Sequence, residues 1–153
     1  MNELSGWNGV FNIFIKSIDD DWTHVQTIKN TITNNGLNLL RDSLRGTITD
    51  AQIKYIAVGS STTAVLNSDT QLGAEFFRKQ VYTRTAVSDG VLQTISILSE
   101  TEAVAQIEEI GVFAGSTASI TANTGIMISR ILYSRNKTNL ESVQIQRTDT
   151  IVR

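Results

Sequence analysis

Few side chains in this sequence are of the kinds that carry out chemistry, and their spacing narrows them further. Glu108 and Glu109 are the only adjacent glutamates. On an extended segment, neighbouring side chains point to opposite faces, so they do not converge on one substrate as an acid and base pair. One of them must then face a layer of the protein, where a lone charge is costly, and Arg78 or Arg130 is the expected partner in an internal ion pair. Asp19, Asp20 and Asp21 are consecutive, whereas a calcium loop of the EF-hand kind alternates its ligands, turns at a glycine and closes with a glutamate. They read as a solvated turn. His24 is the only histidine and there is no cysteine, so neither a histidine pair nor a thiolate set is present to ligate a metal. The GxSxG, GxxxxGK[ST] and GxGxxG patterns of hydrolases, phosphate loops and dinucleotide sites do not occur. These residues predict no enzyme: no catalytic residue, no cofactor and no metal.

The elements that would position such residues are mostly strands. Residues 10–18 alternate, with Phe11, Ile13 and Ile15 on one strongly apolar side, and residues 22–28 can return across the aspartates as a hairpin. Residues 53–59 carry apolar groups on both faces, as a strand covered by two layers does, and the Ser, Thr, Asn and Asp residues after Gly59 predict a surface connection. Leu37, Leu40 and Leu44 recur at helical spacing, so an amphipathic helix is predicted over 36–45. Thr33 or Asn34 would cap its start, Gly46 would follow its end, and the three leucines would cover a sheet. Residues 69–79 read as a turn or one helical coil. Residues 81–87 and 91–98 form a hairpin through Asp89-Gly90. Residues 107–113, 125–134 and 140–147 complete the strands, and residues 116–124 read as a flexible loop. The expected fold is mainly β, a two-layer sandwich with one short packed helix; α+β is the lesser alternative.

The chain has 153 residues, 41% hydrophobic and 18% charged, with a net charge of −2. That suits a single domain spanning 1–153. Lys and Arg are scattered, so a nucleic acid partner is not expected. The N-terminal stretch has neither a basic leader nor an apolar span, so no membrane partner is expected and folding in the cytosol is. Residues 1–9 read as a docking arm for a neighbouring subunit, with Trp7 and Phe11 as interface candidates beside Phe76 and Phe77. Trp7, Trp22 and Tyr133 offer faces on which a sugar could stack.

Four stretches in combination resemble a family of small structural proteins associated with the tail or tail fibres of tailed bacteriophages. They are GLNLLRDSLRG (36–46), IKYIAVGSSTTAVLNSDTQLGAEFFRK (53–79), IEEIGVFAG (107–115) and GIMISRILYSRNKTNLESVQIQRTDTI (125–151). The resemblance covers most of the chain after the first strand. In the loop after "AVG", Ser61, Thr62 and Val65 stand where the family has glycines and prolines. The resemblance implies a virion component without enzymatic activity, made in the host cytoplasm, whose partners are other phage virion proteins in a homo-oligomer, with a trimer favoured. A tail, baseplate or fibre-attachment adaptor is the first expectation. A head or neck decoration protein, or a carbohydrate-binding module for host-surface glycans, are the alternatives.

Overall fold

The computed structural model describes residues 6–153. The strands are β1 (Gly6–Ser17), β2 (Thr23–Asn30), β3 (Ile53–Gly59), β4 (Glu75–Gln80), β5 (Thr83–Ser88), β6 (Val91–Leu98), β7 (Gln106–Ala114), β8 (Ile126–Asn136) and β9 (Glu141–Val152), and the helix is α1 (Asn34–Leu44). They form a five-stranded sheet in the order β2-β1-β9-β6-β5 and a four-stranded sheet in the order β4-β3-β7-β8. All pairs are antiparallel. The fold is therefore mainly β, two packed sheets with one short helix.

Alternation decides which side chains meet between the sheets. Phe11, Ile13 and Ile15 of β1 and Val143 and Ile145 of β9 face Ile56 and Val58 of β3, Ile110 and Val112 of β7 and Ile131 of β8 in one buried cluster. The other face of the smaller sheet buries a second cluster, Ala57, Leu72, Phe113 and Met127. Its cover is the connection after Gly59, which supplies Leu72; β3 is thus covered on both faces.

Several expectations need correction. Residues 6–9 are not an arm: β1 pairs from Gly6 to Ser17 along the whole of β9, while residues 1–5 of that expected arm lie outside the described residues. Phe11 is 0% exposed and fills the core. Residues 75–79, expected within a turn or one helical coil, belong instead to the strand Glu75–Gln80, where Phe77 has an apolar neighbourhood between the sheets. The helix does not lay Leu37, Leu40 and Leu44 on the sheet; they are 49%, 36% and 82% exposed, and Gly36 and Leu39 are its buried residues. The cause is a bulge in β8. Val112 pairs with Ser129 and Phe113 with Met127, leaving Ile128 as an extra residue. Thr33 takes the two carbonyls there: its N–H donates to Ile128 O at 2.9 Å and its hydroxyl to Met127 O at 2.6 Å. Thr33 Oγ1 in turn accepts from Gly36 N at 3.0 Å as the helix cap. This docks the first turn on β8 through Gly36, at whose α-carbon an added Cβ would stand 3.1 Å from Ile128 Cα.

A polar cluster sits in the core between the sheets. Arg147 Nε and Nη2 donate to Asp149 at 2.8–3.0 Å, and Nη1 donates to Ser129 Oγ. The guanidinium lies 4.9 Å from the centre of the Phe11 ring. Trp7 Nε1 donates to Asp149 Oδ1 at 2.8 Å, so Trp7 belongs to its own sheet. Space for the guanidinium depends on Gly9: a Cβ there would collide with Arg147 Nη2 and stand 2.7 Å from Asn30 Oδ1, whereas one on Gly6 would meet nothing within 4 Å among the described residues. Gly9→Ala is expected to destabilise the fold by about 1–3 kcal/mol and Gly6→Ala by roughly 0.5 kcal/mol or less, read from urea midpoints. Equal effects would contradict the packing described.

Candidate functional site: a buried carboxylate under two clamped loops

The smaller sheet carries two long connections over its outer face, residues 60–74 and 116–124. Each is held by an arginine. Arg130 of β8 donates from Nε to Glu109 Oε1 at 2.8 Å, from Nη1 to Asp69 Oδ2 at 3.3 Å and from Nη2 to Thr63 O at 2.9 Å. Glu109 of β7 is 0% exposed. It also accepts from three backbone N–H groups of the first connection: Ser61 at 3.0 Å, Gly73 at 2.8 Å and Ala74 at 2.8 Å. Both ends of the connection thus close on one carboxylate. Gly59 and Gly73 allow it, since a Cβ on Gly59 would strike Glu109 Oε2 and stand 2.6 Å from Ala74 O, and one on Gly73 would strike the Ser61 hydroxyl.

Arg78 of β4 makes the second clamp. Its Nε and Nη2 pair with Glu75 at 2.7 and 2.9 Å, and Nη1 donates to Ser119 O at 2.9 Å and Thr124 O at 3.0 Å. The guanidinium lies 4.4 Å from the centre of the Phe113 ring, and Glu75 Oε1 accepts from Asn123 N at 3.2 Å. The loop over 116–124, expected to be flexible, is therefore tied to a buried ion pair.

Of the residues singled out by sequence, Glu109 and Arg130 come together, while Arg78 pairs with Glu75. Among the described residues Glu108 has no ion-pair partner; it accepts from Gln106 Nε2 at 2.9 Å and Ser134 Oγ at 3.2 Å. The opposite-face reading of the two glutamates fails at a bulge between Ile107 and Glu109. Ile107 and Ile110 both join the inner core, so both glutamates lie off that face. Phe76 is exposed and Phe77 packs on the core. The aromatics named for sugar stacking are dispersed: Tyr133 is buried, Trp7 bonds Asp149, and Trp22 is exposed beside the β1–β2 turn. His24 is exposed and bonds Asn12 and Thr27. No cluster of three metal-ligating side chains occurs among the described residues, nor any helix long and apolar enough to cross a membrane.

Asp69, Glu75, Lys137 and the Arg147–Asp149 pair escaped the sequence reading. Lys137 is buried, with Nζ donating to Glu100 O and Thr138 O at 3.2 Å each, and burial pushes its pKa down against the nearby Glu141, Glu100 and Glu102 charges. The i,i+2 spacing of Arg147 and Asp149 on one strand face was the available signal for their pairing. Lys137 offered none.

No known family, curated protein or solved structure matches this chain.

With its oxygens taken by four donors, Glu109 is built to hold loops in place. Burial disfavours its charged form, yet Arg130 and the three N–H groups outweigh burial and hold its carboxyl below the ordinary glutamate value. The native state thus binds this proton less readily than the unfolded chain. The resulting stabilisation is complete above the ordinary value of about 4.3 and is lost as pH falls through the depressed one. Glu109→Gln is expected to cost about 3 kcal/mol at pH 7 and to flatten the fall in stability between about pH 5 and pH 3. Urea unfolding across that range checks both. An unchanged pH profile would contradict the role given to Glu109.

Proposed function

We propose that this chain is a non-enzymatic structural subunit of a tailed bacteriophage particle, assembling through strand edges and the clamped loops. A tail, baseplate or fibre-attachment position is the first choice. The observation that carries the reading is the character of the loop layer. Residues 60–68 and 116–124 contain no charged side chain, yet expose Val65, Leu66 and Ile120 at their surface. Depletion of charge around apolar tips is what the centre of a protein interface requires. Anchoring by buried ion pairs removes much of the ordering cost that a mobile loop would bring to association. The stretches that carry the family resemblance supply the parts of this layer: Gly59, Asp69, Gly73, Glu75 and Arg78, then Glu109, then Arg130.

A second supporting feature is β5, which among the described residues pairs with β6 alone and contains neither lysine nor proline to discourage edge pairing. The same surfaces would serve a head or neck decoration subunit. Glycan binding is the weaker reading. Trp22 and Tyr82 are exposed but precede β2 and β5, the opposite edges of the larger sheet, so they do not form one stacking platform.

Light scattering behind a sizing column, over a dilution series, is expected to return a homo-oligomer, a trimer in the favoured case. The double substitution Leu66→Asp with Ile120→Asp is expected to dissociate it without unfolding the chain. A monomer at every concentration would overturn self-assembly, and an oligomer indifferent to the two aspartates would remove the loops from the contact.

A further inference from the structure

The two sheets part at the end where β3 begins and the β5–β6 hairpin turns, leaving a cleft of about 440 Å³. That is within the roughly 300–1,000 Å³ typical of small-ligand sites. Its walls are predominantly apolar, among them Trp7, Leu39, Ile53, Ala86, Ile128 and Ile151. Two charged groups border it. Asp149 is met by Arg147 and by the Trp7 indole N–H, so its charge is already answered. Arg84 is different. Its Nη1 donates to Ile53 O at 2.9 Å, and with the Gln52 amide oxygen turned toward it, Nε and Nη2 donate there at 3.1 and 3.0 Å. Both acceptors are neutral, and among the described residues no carboxylate lies within ion-pair distance of Arg84.

We propose that this cleft binds an aliphatic carboxylate of medium chain length, its tail between the sheets and its carboxylate on the spare N–H groups of Arg84. The apolar lining supplies the binding force through burial of the tail. The guanidinium has five donors, three of them spent on neutral oxygens, and the remaining two can take a carboxylate in charge-assisted bonds. An ammonium head would meet repulsion at the same place, and a neutral head would forgo the charge-assisted bonds. The site is independent of the loop layer, on the other face of the smaller sheet, so Leu66→Asp with Ile120→Asp leaves it intact; it shares only β5 with the surfaces proposed for assembly.

Trp7 reports on occupancy because it lines the cleft. In Trp22→Phe protein it is the only tryptophan, and its emission can be followed while octanoate, 1-octanol or octylammonium is added. Octanoate is expected to give a saturable change at the lowest concentration of the three. Arg84→Gln is expected to weaken octanoate about tenfold and to leave 1-octanol unaffected; Ala86→Phe, which fills the cleft from an exposed position, is expected to abolish both. Melting curves of each variant establish that it is folded. No saturable response to octanoate, or equal affinity for all three head groups, overturns the proposal. So does an Arg84→Gln protein that binds octanoate as the parent does.

Discussion

A carboxylate removed from water must be given donors, and the layout of the smaller sheet follows from how Glu109 obtains them. A lone buried charge would cost several kcal/mol. Glu109 instead receives one guanidinium N–H from the neighbouring strand and three backbone N–H groups from the connection above it. Because Ser61 lies at the start of that connection and Gly73 and Ala74 at its end, satisfying the charge also closes the loop. The glycines at 59 and 73, the aspartate at 69 and the arginine at 130 are then parts of one arrangement.

The same device recurs on a chain that has no disulfide to restrain it. Arg78 with Glu75 and Arg147 with Asp149 are likewise buried, and each guanidinium lies over an aromatic ring while a remaining N–H reaches another segment. A buried pair adds little net stability compared with apolar packing, but losing one partner is expensive. We read these pairs as pins that select one loop arrangement among many, while the stability itself comes from the aliphatic core between the sheets. Long polar loops are ordinarily the mobile parts of a domain. Pinned, they become a surface of defined shape.

How much of this was legible beforehand depended on whether alternation survived. Where it survives, sequence pattern and structure agree: the apolar side of β1, the two-sided cover of β3 and the Asp89-Gly90 hairpin, whose glycine has φ of 69°. Bulges defeated it elsewhere. Between Ile107 and Glu109 the register shifts, with Glu108 alone opposite Tyr133 and Ser134, and both glutamates fall off the core face; the extra Ile128 freed the carbonyls that turned α1 away from its leucine stripe. Neither bulge has a local composition that announces it. The need of a glutamate on β7 for an arginine could be argued from burial cost alone; which arginine, and which loop amides, required the three-dimensional path of residues 60–74.

Amide hydrogen exchange at Ser61, Gly73 and Ala74 tests the central claim most directly. If Glu109 holds both ends of the connection, these three amides exchange as slowly as the ladder amides of β7 and become fast together in Glu109→Gln protein, while β7 itself stays protected. Exchange at the rate of exposed loop amides in the unaltered protein would contradict the account.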